Sequence, residues 1–348
     1  MTICNTSSDL TNKKCWITPV PEKKRVHHKR LETAITALYK LHPNLRCFLL
    51  ARQGETICEV YADCDETSLH DLRSATKTVV GILVGIASSH GLMPALEESI
   101  KPYFEAELPQ SNKNDPLWSS ISLYHLLTMT SGLHWQTGPK LGEQWIHRFH
   151  NSASWTRFAL RLPVHAEFMN HFQYRSIDSH LLSVLLTRIT GMRADQYAER
   201  HLFGPLGIIN YRWALSPDGD ASGHIGLHLS GRDMLKIGQL MLDKGIIRDN
   251  NVSNSTDALY VIPSEWIKET MRSHHAGMDA YGNYGYQGWS HRLQGYDAFC
   301  ALGHGGQMIY IVPELDIVVV LAGNSHVRRW RHPRLWLEQH LLPACLSY

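Results

Sequence analysis

A serine and a lysine three residues apart stand at the start of a long apolar stretch. In the segment RSATKTVVGILVGIA, Ser74 is followed by Lys77 and then by an almost unbroken apolar run. If this segment is a helix, positions i and i+3 share one face, and the Lys77 amine can reach the Ser74 hydroxyl. A helix N-terminus also offers free N–H groups and a positive field, which favour an oxyanion and disfavour an ammonium ion. The pair therefore predicts a nucleophilic serine with a lysine as its base.

The chemistry of this pair depends on the pKa of the lysine. A free lysine has a pKa of about 10.4, and a base at neutral pH needs a value lower by about 3 units, which burial can supply. The spacing Ser-x-x-Lys also arises by chance, so the pattern alone fits a helix-capping serine beside a surface lysine equally well. Further motifs are needed to decide between the two interpretations.

Histidine is abundant, with 22 residues, so a metal site has to be considered. The zinc-binding pattern His-Glu-x-x-His is absent from the sequence. His147 and His150 are three residues apart and His274 adjoins His275, but such pairs are more typical of surface positions than of ligand sets. We expect no metal and no other cofactor.

Composition and charge restrict the partners. The chain has 348 residues, of which 43% are hydrophobic and 19% charged, and a formal net charge of +2. This charge is too small to indicate nucleic acid, and the basic cluster at 23–30 is typical of a solvated segment that leads into a helix. No apolar run reaches the roughly 18 residues of a membrane span. We expect a small-molecule substrate, no nucleic acid and no membrane, and the oligomeric state stays open.

The cysteines and the first residues predict the compartment. Seven cysteines without a Cys-x-x-Cys pair are scattered along the chain, at positions 4, 15, 47, 58, 64, 300 and 345. Reduced thiols in the cytoplasm fit this odd number better than a disulfide framework or a zinc site. No basic segment followed by an apolar one opens the sequence, so we expect a cytoplasmic protein without a secretory signal.

Apolar periodicity predicts the elements that position Ser74 and Lys77. Residues 29–41 have helical spacing, and a β-hairpin is predicted to turn at Gln53–Gly54. Helices are then predicted at 74–89, at 123–133 with an end near Gly132, at 179–191 with a stop at Gly191, and from the cap Ser230 to a stop at Gly245. Strand patterns return afterwards, with a hairpin loop at 313–316, and a last helix is predicted near 333–342.

This order of elements predicts the fold class and the domains. The class is α/β (α+β), an antiparallel sheet flanked by helices, with an inserted all-helical subdomain. Residues 1–28 are expected to be an N-terminal leader, and 29–348 a single catalytic domain. Within it, 29–66 and 255–348 are expected to form the sheet subdomain, and 67–254 the mainly helical subdomain.

Two further motifs follow Ser74-Ala75-Thr76-Lys77 in a fixed order: Tyr174-Arg175-Ser176 and His304-Gly305-Gly306. With neighbouring blocks such as LLTMTSGLHW and GHGGQMIYIVPELDIVVVLAGN, they make residues 45–325 resemble the serine β-lactamase and penicillin-binding-protein-like superfamily. Within it, the chain is similar to class C β-lactamase-related serine hydrolases, which include esterases, D-aminopeptidase-like enzymes and 6-aminohexanoate-dimer hydrolases. The resemblance implies a β-lactamase/transpeptidase-like fold.

Three segments repeat the motif letters without the matching surroundings. Tyr281-Gly282-Asn283 lies too close to His304 to serve as the second motif. The segments His224-Ile225-Gly226 and His275-Ala276-Gly277 do not lead directly into a strand such as QMIYIV. We therefore assign the motifs to residues 174–176 and 304–306.

The resemblance implies a role for each motif residue. Ser74 is the nucleophile, and Lys77 accepts its proton or holds Tyr174 as a phenolate that acts as base. The main-chain N–H groups of Ser74 and Gln307 form the oxyanion hole. The substrate is bound by Ser176, His304, Gly305 and Gly306, and the two glycines let the backbone approach it closely.

Three departures from the family pattern bear on the substrate. Ser176 replaces the commoner asparagine, so one amide donor is missing, and the insert 142–150 has no family role. His304 stands where penicillin-recognising relatives often have lysine, and a histidine is mostly neutral at about pH 7–8. We therefore expect neutral esters or amides to be better substrates than penicillins.

These motifs predict a serine hydrolase that cleaves a small amide or ester through an acyl-enzyme on Ser74. An acyltransferase that uses the same acyl-serine is the alternative. A non-catalytic binding protein of the same fold is a further one, which the intact set of motifs disfavours.

Overall fold

The computed structural model describes residues 26–247 and 258–346, together with the backbone of 2–3 and 13–17. The predicted boundary at 254–255 and most of the predicted leader lie outside these residues. The described chain forms two compact units. Unit 1 comprises Met1–Ala75, His228–Asp243 and His291–Tyr348, and unit 2 comprises Thr76–Leu227 and Lys244–Ser290.

The strands of the described residues differ in length, and the longest belong to unit 1. In chain order they are β1 (Thr2–Ile3), β2 (Lys13–Ile17), β3 (Leu45–Arg52), β4 (Glu55–Ala62), β5 (His70–Asp71), β6 (Ser131–Leu133), β7 (Val164–Met169), β8 (Arg212–Trp213), β9 (Leu227–Leu229), β10 (Ile246–Ile247), β11 (Leu259–Tyr260), β12 (His275–Met278), β13 (Gly282–Tyr284), β14 (Trp289–Leu293), β15 (Tyr296–Gly303), β16 (Gln307–Val312) and β17 (Ile317–Gly323).

The α-helices are α1 (His28–Leu41), α2 (Thr76–Ser89), α3 (Gln110–Lys113), α4 (Pro116–Ser119), α5 (Leu123–Thr128), α6 (Ile146–His150), α7 (Trp155–Leu160), α8 (Ser176–Thr190), α9 (Ala194–Ala198), α10 (Gly231–Leu242), α11 (Ser264–Met271), α12 (Arg334–Trp336) and α13 (Leu342–Leu346). Short 3₁₀ turns lie at Arg73–Ala75, Lys101–Phe104 and Pro313–Leu315, and π-helical turns at Glu199–Phe203 and Leu337–Leu341. Within the described part of the chain, no helix is long and apolar enough to cross a membrane.

Unit 1 is built on an antiparallel sheet in the order β1-β2-β4-β3-β17-β16-β15. The central strand β17 is an apolar run, IVVVLAG, and every residue of it is buried, as expected for a strand covered on both faces. The segment predicted as a leader thus contributes β1 and β2 to one end of this sheet. The predicted hairpin at Gln53–Gly54 is confirmed by the pairing of β3 with β4.

Helices cover both faces of this sheet. A Cβ added to Gly231 in α10 would lie 2.5 Å from Cys47 Sγ and 2.8 Å from a Leu49 methyl group, so α10 packs closely on that face. The ring of Phe48, which lies between these two residues on β3, contacts Trp336 of α12 on the opposite face, with centroids 5.7 Å apart. Because successive strand residues point to opposite faces, the prediction of an antiparallel sheet flanked by helices is confirmed.

Unit 2 is mainly helical and is centred on α2 and α8. Nearly all of α2 is buried, as expected for a helix whose body is apolar on every side. Its polar first turn is buried as well. Gly85 allows the close packing of Trp266, whose indole N–H donates to the Gly81 carbonyl at 3.1 Å. The structure adds short strands to this unit, among them β6 paired with β7, which the expectation of an all-helical insert lacked.

Most predicted helix ends agree with the structure, but α10 ends at Leu242, ahead of the predicted stop at Gly245, and another end differs more. Gly191 ends α8 in the left-handed conformation, and the Ser230 hydroxyl accepts from Asp233 N at the start of α10. The helix predicted to end near Gly132 ends instead at Thr128, and its capping residue Met129 is left-handed with φ 57°. The Met129 carbonyl is thereby free to accept from Gln173 N at 3.1 Å and from Arg175 Nη1 at 2.8 Å. A tertiary contact therefore sets this helix end.

Candidate active site

Ser74 lies in a 3₁₀ turn of unit 1 that leads directly into α2. The residue before it, Arg73, has a left-handed backbone with φ 49°. Its N–H donates to Asp71 Oδ1 at 2.9 Å, and its guanidinium donates to the Ser325 carbonyl at 3.0 Å and pairs with Asp71. These contacts hold the turn, and Ser74 itself is half-buried. The predicted nucleophile thus occupies a fixed turn and stays accessible.

The end of β15 packs against this turn. A Cβ at Gly303 would overlap the Leu72 carbonyl and lie 3.1 Å from Arg73 Cβ, so only glycine fits there. Gln307, which begins β16, is buried, and its side-chain amide bonds the Gly323 main chain of β17 through two hydrogen bonds of 2.8 and 3.2 Å. The predicted oxyanion donor Gln307 is therefore fixed in position beside the turn that carries Ser74.

The third motif forms the exposed turn between β15 and β16. Gly305 and Gly306 have φ values of 85° and 88°, and a Cβ at Gly305 would lie 2.6 Å from the Asn324 carbonyl. Turn geometry and this packing explain both glycines, and their predicted role in substrate binding stays a prediction.

His304 in the same turn is exposed, and both its ring nitrogens have protein partners. Nε2 lies 2.6 Å from the Val327 carbonyl, and Nδ1 accepts from the Trp330 indole N–H at 3.1 Å. A carbonyl only accepts and an indole only donates, so the two contacts fit the neutral Nε2–H tautomer. His304 therefore holds the segment that follows β17.

Lys77 is buried in unit 2, with 1% of its surface exposed. Its Nζ donates to the His224 carbonyl at 3.1 Å and lies 4.9 Å from the centre of the Tyr174 ring. Burial lowers the pKa of Lys77 to about 8, and the nearby carboxylate of Glu143 opposes that decrease. A substantial fraction of this amine is therefore neutral at mildly alkaline pH.

Tyr174 is also buried and is held from both sides. Its ring stacks on Trp289 at 5.8 Å, and its carbonyl accepts from Thr137 Oγ1 at 2.5 Å. The structure thus brings the predicted residues Lys77 and Tyr174 together. The segment at His224, which repeats the third-motif letters, contributes its main-chain carbonyl to Lys77 instead.

Ser176, the last residue of the second motif, begins α8 and is buried. Its N–H and its hydroxyl both donate to the Glu143 carboxylate, each at 2.6 Å. The sequence did not single out Glu143. It is the one acidic residue in the unassigned insert 142–150, which is the only signal that could have drawn attention to it.

Three histidines lie near Lys77 in unit 2. His150 and His224 face each other with their Nε2 atoms 2.8 Å apart, and His180 is fully buried against Trp155. Burial lowers the pKa of His180 to about 4 and that of His224 well below its ordinary value, so both are neutral. In the described ranges, no three His, Cys, Asp or Glu side chains are arranged to hold a metal ion.

Comparisons with known proteins agree with this architecture. A 6-aminohexanoate-dimer hydrolase of Paenarthrobacter ureafaciens is 23% identical over 327 residues, which are 84% of this chain and 76% of the relative. A proposed 6-aminohexanoate-dimer hydrolase structure from Bacillus anthracis superposes with a TM-score of 0.71 at 20% identity, over 89% of this chain and 81% of the other. A class C β-lactamase from Rhodobacter sphaeroides gives a TM-score of 0.62 at 14% identity, over 92% and 99% of the two chains.

The predicted β-lactamase/transpeptidase-like fold is thereby confirmed. The family model described as Beta-lactamase matches residues 48–342, which is most of the sequence and includes all three motifs. The chain therefore belongs to the β-lactamase family.

Proposed function

We propose that the protein is a serine hydrolase that cleaves a small amide or ester through an acyl-enzyme on Ser74. The observation that carries this proposal is Lys77, a buried lysine with a lowered pKa, three residues after the candidate nucleophile along one continuous helical segment. A buried amine is costly to the fold, and a pKa near the working pH is what a general base requires.

Acylation begins when the Ser74 Oγ attacks the substrate carbonyl. The Ser74 proton passes to neutral Lys77, or to a Tyr174 phenolate held by the ammonium form of Lys77, and then to the departing alcohol or amine. The N–H groups of Ser74 and Gln307 stabilise the oxyanion that forms on the carbonyl oxygen. Water then attacks the ester on Ser74, which releases the acid and restores the hydroxyl.

Two kinds of relative support amides and esters as the substrate class. One is the 6-aminohexanoate-dimer hydrolase of Paenarthrobacter ureafaciens. The other is EstCE1, a hydrolase with promiscuous acyltransferase activity, which has the same fold with a TM-score of 0.65 at 13% identity, over 85% of this chain and 93% of the other. An acyltransferase that passes the acyl group to an alcohol or amine is the alternative outcome of the same chemistry.

We also propose a cytoplasmic location. Four of the described cysteines, Cys47, Cys64, Cys300 and Cys345, are free thiols. Free thiols in this number are compatible with a reducing compartment.

Intact-mass analysis after exposure to a fluorophosphonate tests the nucleophile. The wild type should gain one adduct, and Ser74→Ala should gain none and should lose turnover of p-nitrophenyl butyrate by about 10⁴-fold or more. Ser120→Ala, which alters an exposed serine of unit 2, serves as the control and should label like the wild type. Adduct formation that persists on another serine in Ser74→Ala would overturn the assignment.

A further inference from the structure

The carboxylate of Glu143 reaches the second motif from the insert 142–150. Its Oε1 accepts from Ser176 N at 2.6 Å and from the Trp135 indole N–H at 2.8 Å, and its Oε2 lies 2.6 Å from Ser176 Oγ. Glu143 therefore binds the first residue of α8, two residues after Tyr174. Through Thr137, the chain ahead of the insert also holds the Tyr174 carbonyl.

These contacts determine the charge of Glu143. The Ser176 and Trp135 N–H groups can only donate, so Oε1 carries no proton, and the Ser176 hydroxyl is placed to donate to Oε2. Burial raises the pKa of Glu143, and the charge of Lys77 and the donors on Ser176 and Trp135 oppose that rise. Three donors directed at one carboxylate favour its ionised form.

Asp178 is a second buried acid of unit 2, close enough to Glu143 for their charges to repel. Asp178 on α8 accepts from Ser131 Oγ and lies near the buried guanidinium of Arg175. Burial raises the pKa of Asp178 to about 7, so its charge is only partly present near neutral pH. Among the residues that the structure describes, further titratable groups around Lys77 and Glu143 are Tyr174, Tyr284, His150, His180 and His224. Of the described acids, Glu143 is the one whose charge raises the pKa of Lys77.

Ser176 is consequently not available in the way that its motif position suggests. Its N–H and its hydroxyl are both directed at Glu143 and not at a substrate. The family motif commonly has a side-chain amide here, and in this chain a serine and a carboxylate from a distant insert occupy the place.

We propose that Glu143 is a positioning residue of the active site, which fixes the start of α8 behind Tyr174 and whose charge maintains the ammonium form of Lys77. This inference rests on the proposed serine hydrolase function. It assigns a role to the insert 142–150, and it makes the proton balance of Lys77 depend on a residue outside the three motifs.

The pH dependence of kcat/KM for p-nitrophenyl butyrate tests the proposal. Glu143→Gln keeps the size of the side chain and an oxygen for the two N–H donors, but removes the charge. The ammonium form of Lys77 loses its stabilisation, so the limb of the profile governed by Lys77 should move to lower pH by about 1–2 units. The pH dependence of fluorophosphonate labelling should move by the same amount, and kcat should fall more than KM rises.

Two further variants separate charge from structure. Glu143→Asp keeps the charge but withdraws it by one methylene group, so the limb should move in the same direction by a few tenths of a pH unit. Glu167→Gln removes an equal charge from an exposed position on β7 and should leave the profile unchanged. Thermal unfolding identifies any variant that does not fold.

The outcomes separate this inference from the proposed function. A wild type without Ser74-dependent labelling overturns both. If labelling depends on Ser74 but the limb stays at its wild-type pH in Glu143→Gln, the inference is overturned and the hydrolase proposal stands. If Glu143→Gln does not fold, an unmoved limb in Glu143→Asp overturns the inference in its place.

Discussion

The second and third motifs are held by their surroundings in different ways. Tyr174 and Ser176 are buried in unit 2, and their partners Trp289, Thr137 and Glu143 come from distant parts of the chain. His304 lies in an exposed turn of unit 1, where both its partners follow within the next 26 residues. One motif is a buried set of hydrogen bonds, and the other is a local turn with its own support.

This difference gives two structural reasons for unusual residues within a family motif. In the buried motif, the unusual Ser176 is accounted for by a carboxylate that completes its hydrogen bonds. In the exposed motif, the unusual His304 is accounted for by the Trp330 N–H and the Val327 carbonyl that it joins. A departure from a family pattern can thus reflect a new partner inside the fold.

The buried region should give the largest effect on substitution. Lys77→Met removes the proposed base and its positive charge, and kcat/KM for p-nitrophenyl butyrate should fall by about 10³-fold, within the range for loss of general base catalysis. Lys268→Met, which alters an exposed lysine of the same unit, should leave the rate near the wild-type value. A Lys77→Met enzyme with more than about a tenth of wild-type activity would contradict the role of this residue.

The exposed region should give a smaller effect that depends on the substrate. His304→Lys places a permanent positive charge in the turn, and a charge-assisted contact with a carboxylate should raise kcat/KM for a penicillin relative to p-nitrophenyl butyrate by about 10-fold. The wild type should prefer the ester. His304→Gln, a neutral replacement, serves as the control for the lost contacts with Trp330 and Val327.

Two results would count against a role of residue 304 in the choice between the ester and the penicillin. One is a wild type that prefers the penicillin over p-nitrophenyl butyrate by a large factor at about pH 8. The other is a His304→Lys variant with no relative gain on carboxylate substrates. In either case the residue type at position 304 would not determine the charge of the preferred substrate.

The smallest effect is expected from the thiols, all of whose described side chains lie in unit 1. Cys64 is half-buried, whereas Cys47, Cys58, Cys300 and Cys345 are buried. Burial raises the pKa of Cys345 to about 11 and those of Cys47 and Cys300 well above the ordinary value, so these thiols stay protonated and slow to react.

Titration with a thiol reagent should therefore find Cys64 reacting first among these five, and Cys64→Ser should abolish that phase without changing turnover. Cys4 and Cys15, whose side chains lie outside the described residues, contribute separately. After unfolding without reductant, all seven thiols should react, and a lower number would argue for a disulfide and against the proposed cytoplasmic location.

Local sequence signals predicted much of the fold. The hairpin at Gln53–Gly54, the stop at Gly191 and the cap at Ser230 each depend on a few adjacent residues, and the structure agrees with all three. The end of α5 was predicted at Gly132 because glycine favours helix ends. It falls at Thr128, where the carbonyl of the capping residue Met129 accepts from Gln173 N and Arg175 Nη1, and contacts from so far along the chain leave no local pattern in the sequence.

The candidate site likewise contains residues that the sequence identifies and one that it does not. Ser74, Lys77 and Tyr174 were identified because their types and order are characteristic, and the structure places Lys77 against the Tyr174 ring. Glu143 was not identified, since its contact with Ser176 joins residues 33 positions apart through an irregular segment. A lone acidic residue in an insert has no spacing rule that would predict such a contact.

The division into two units also has a consequence for gene truncation. The chain passes between the units at 75–76, 227–228, 243–244 and 290–291, so unit 1 is encoded by three separated segments. A premature stop at codon 291 leaves every residue of unit 2 but deletes β15, β16 and β17. β3 then loses its neighbour β17 and becomes a bare sheet edge, which is a template for aggregation. A fragment that still contains Ser74, Lys77 and Tyr174 would thus lack β15, whose end packs against the turn that carries Ser74.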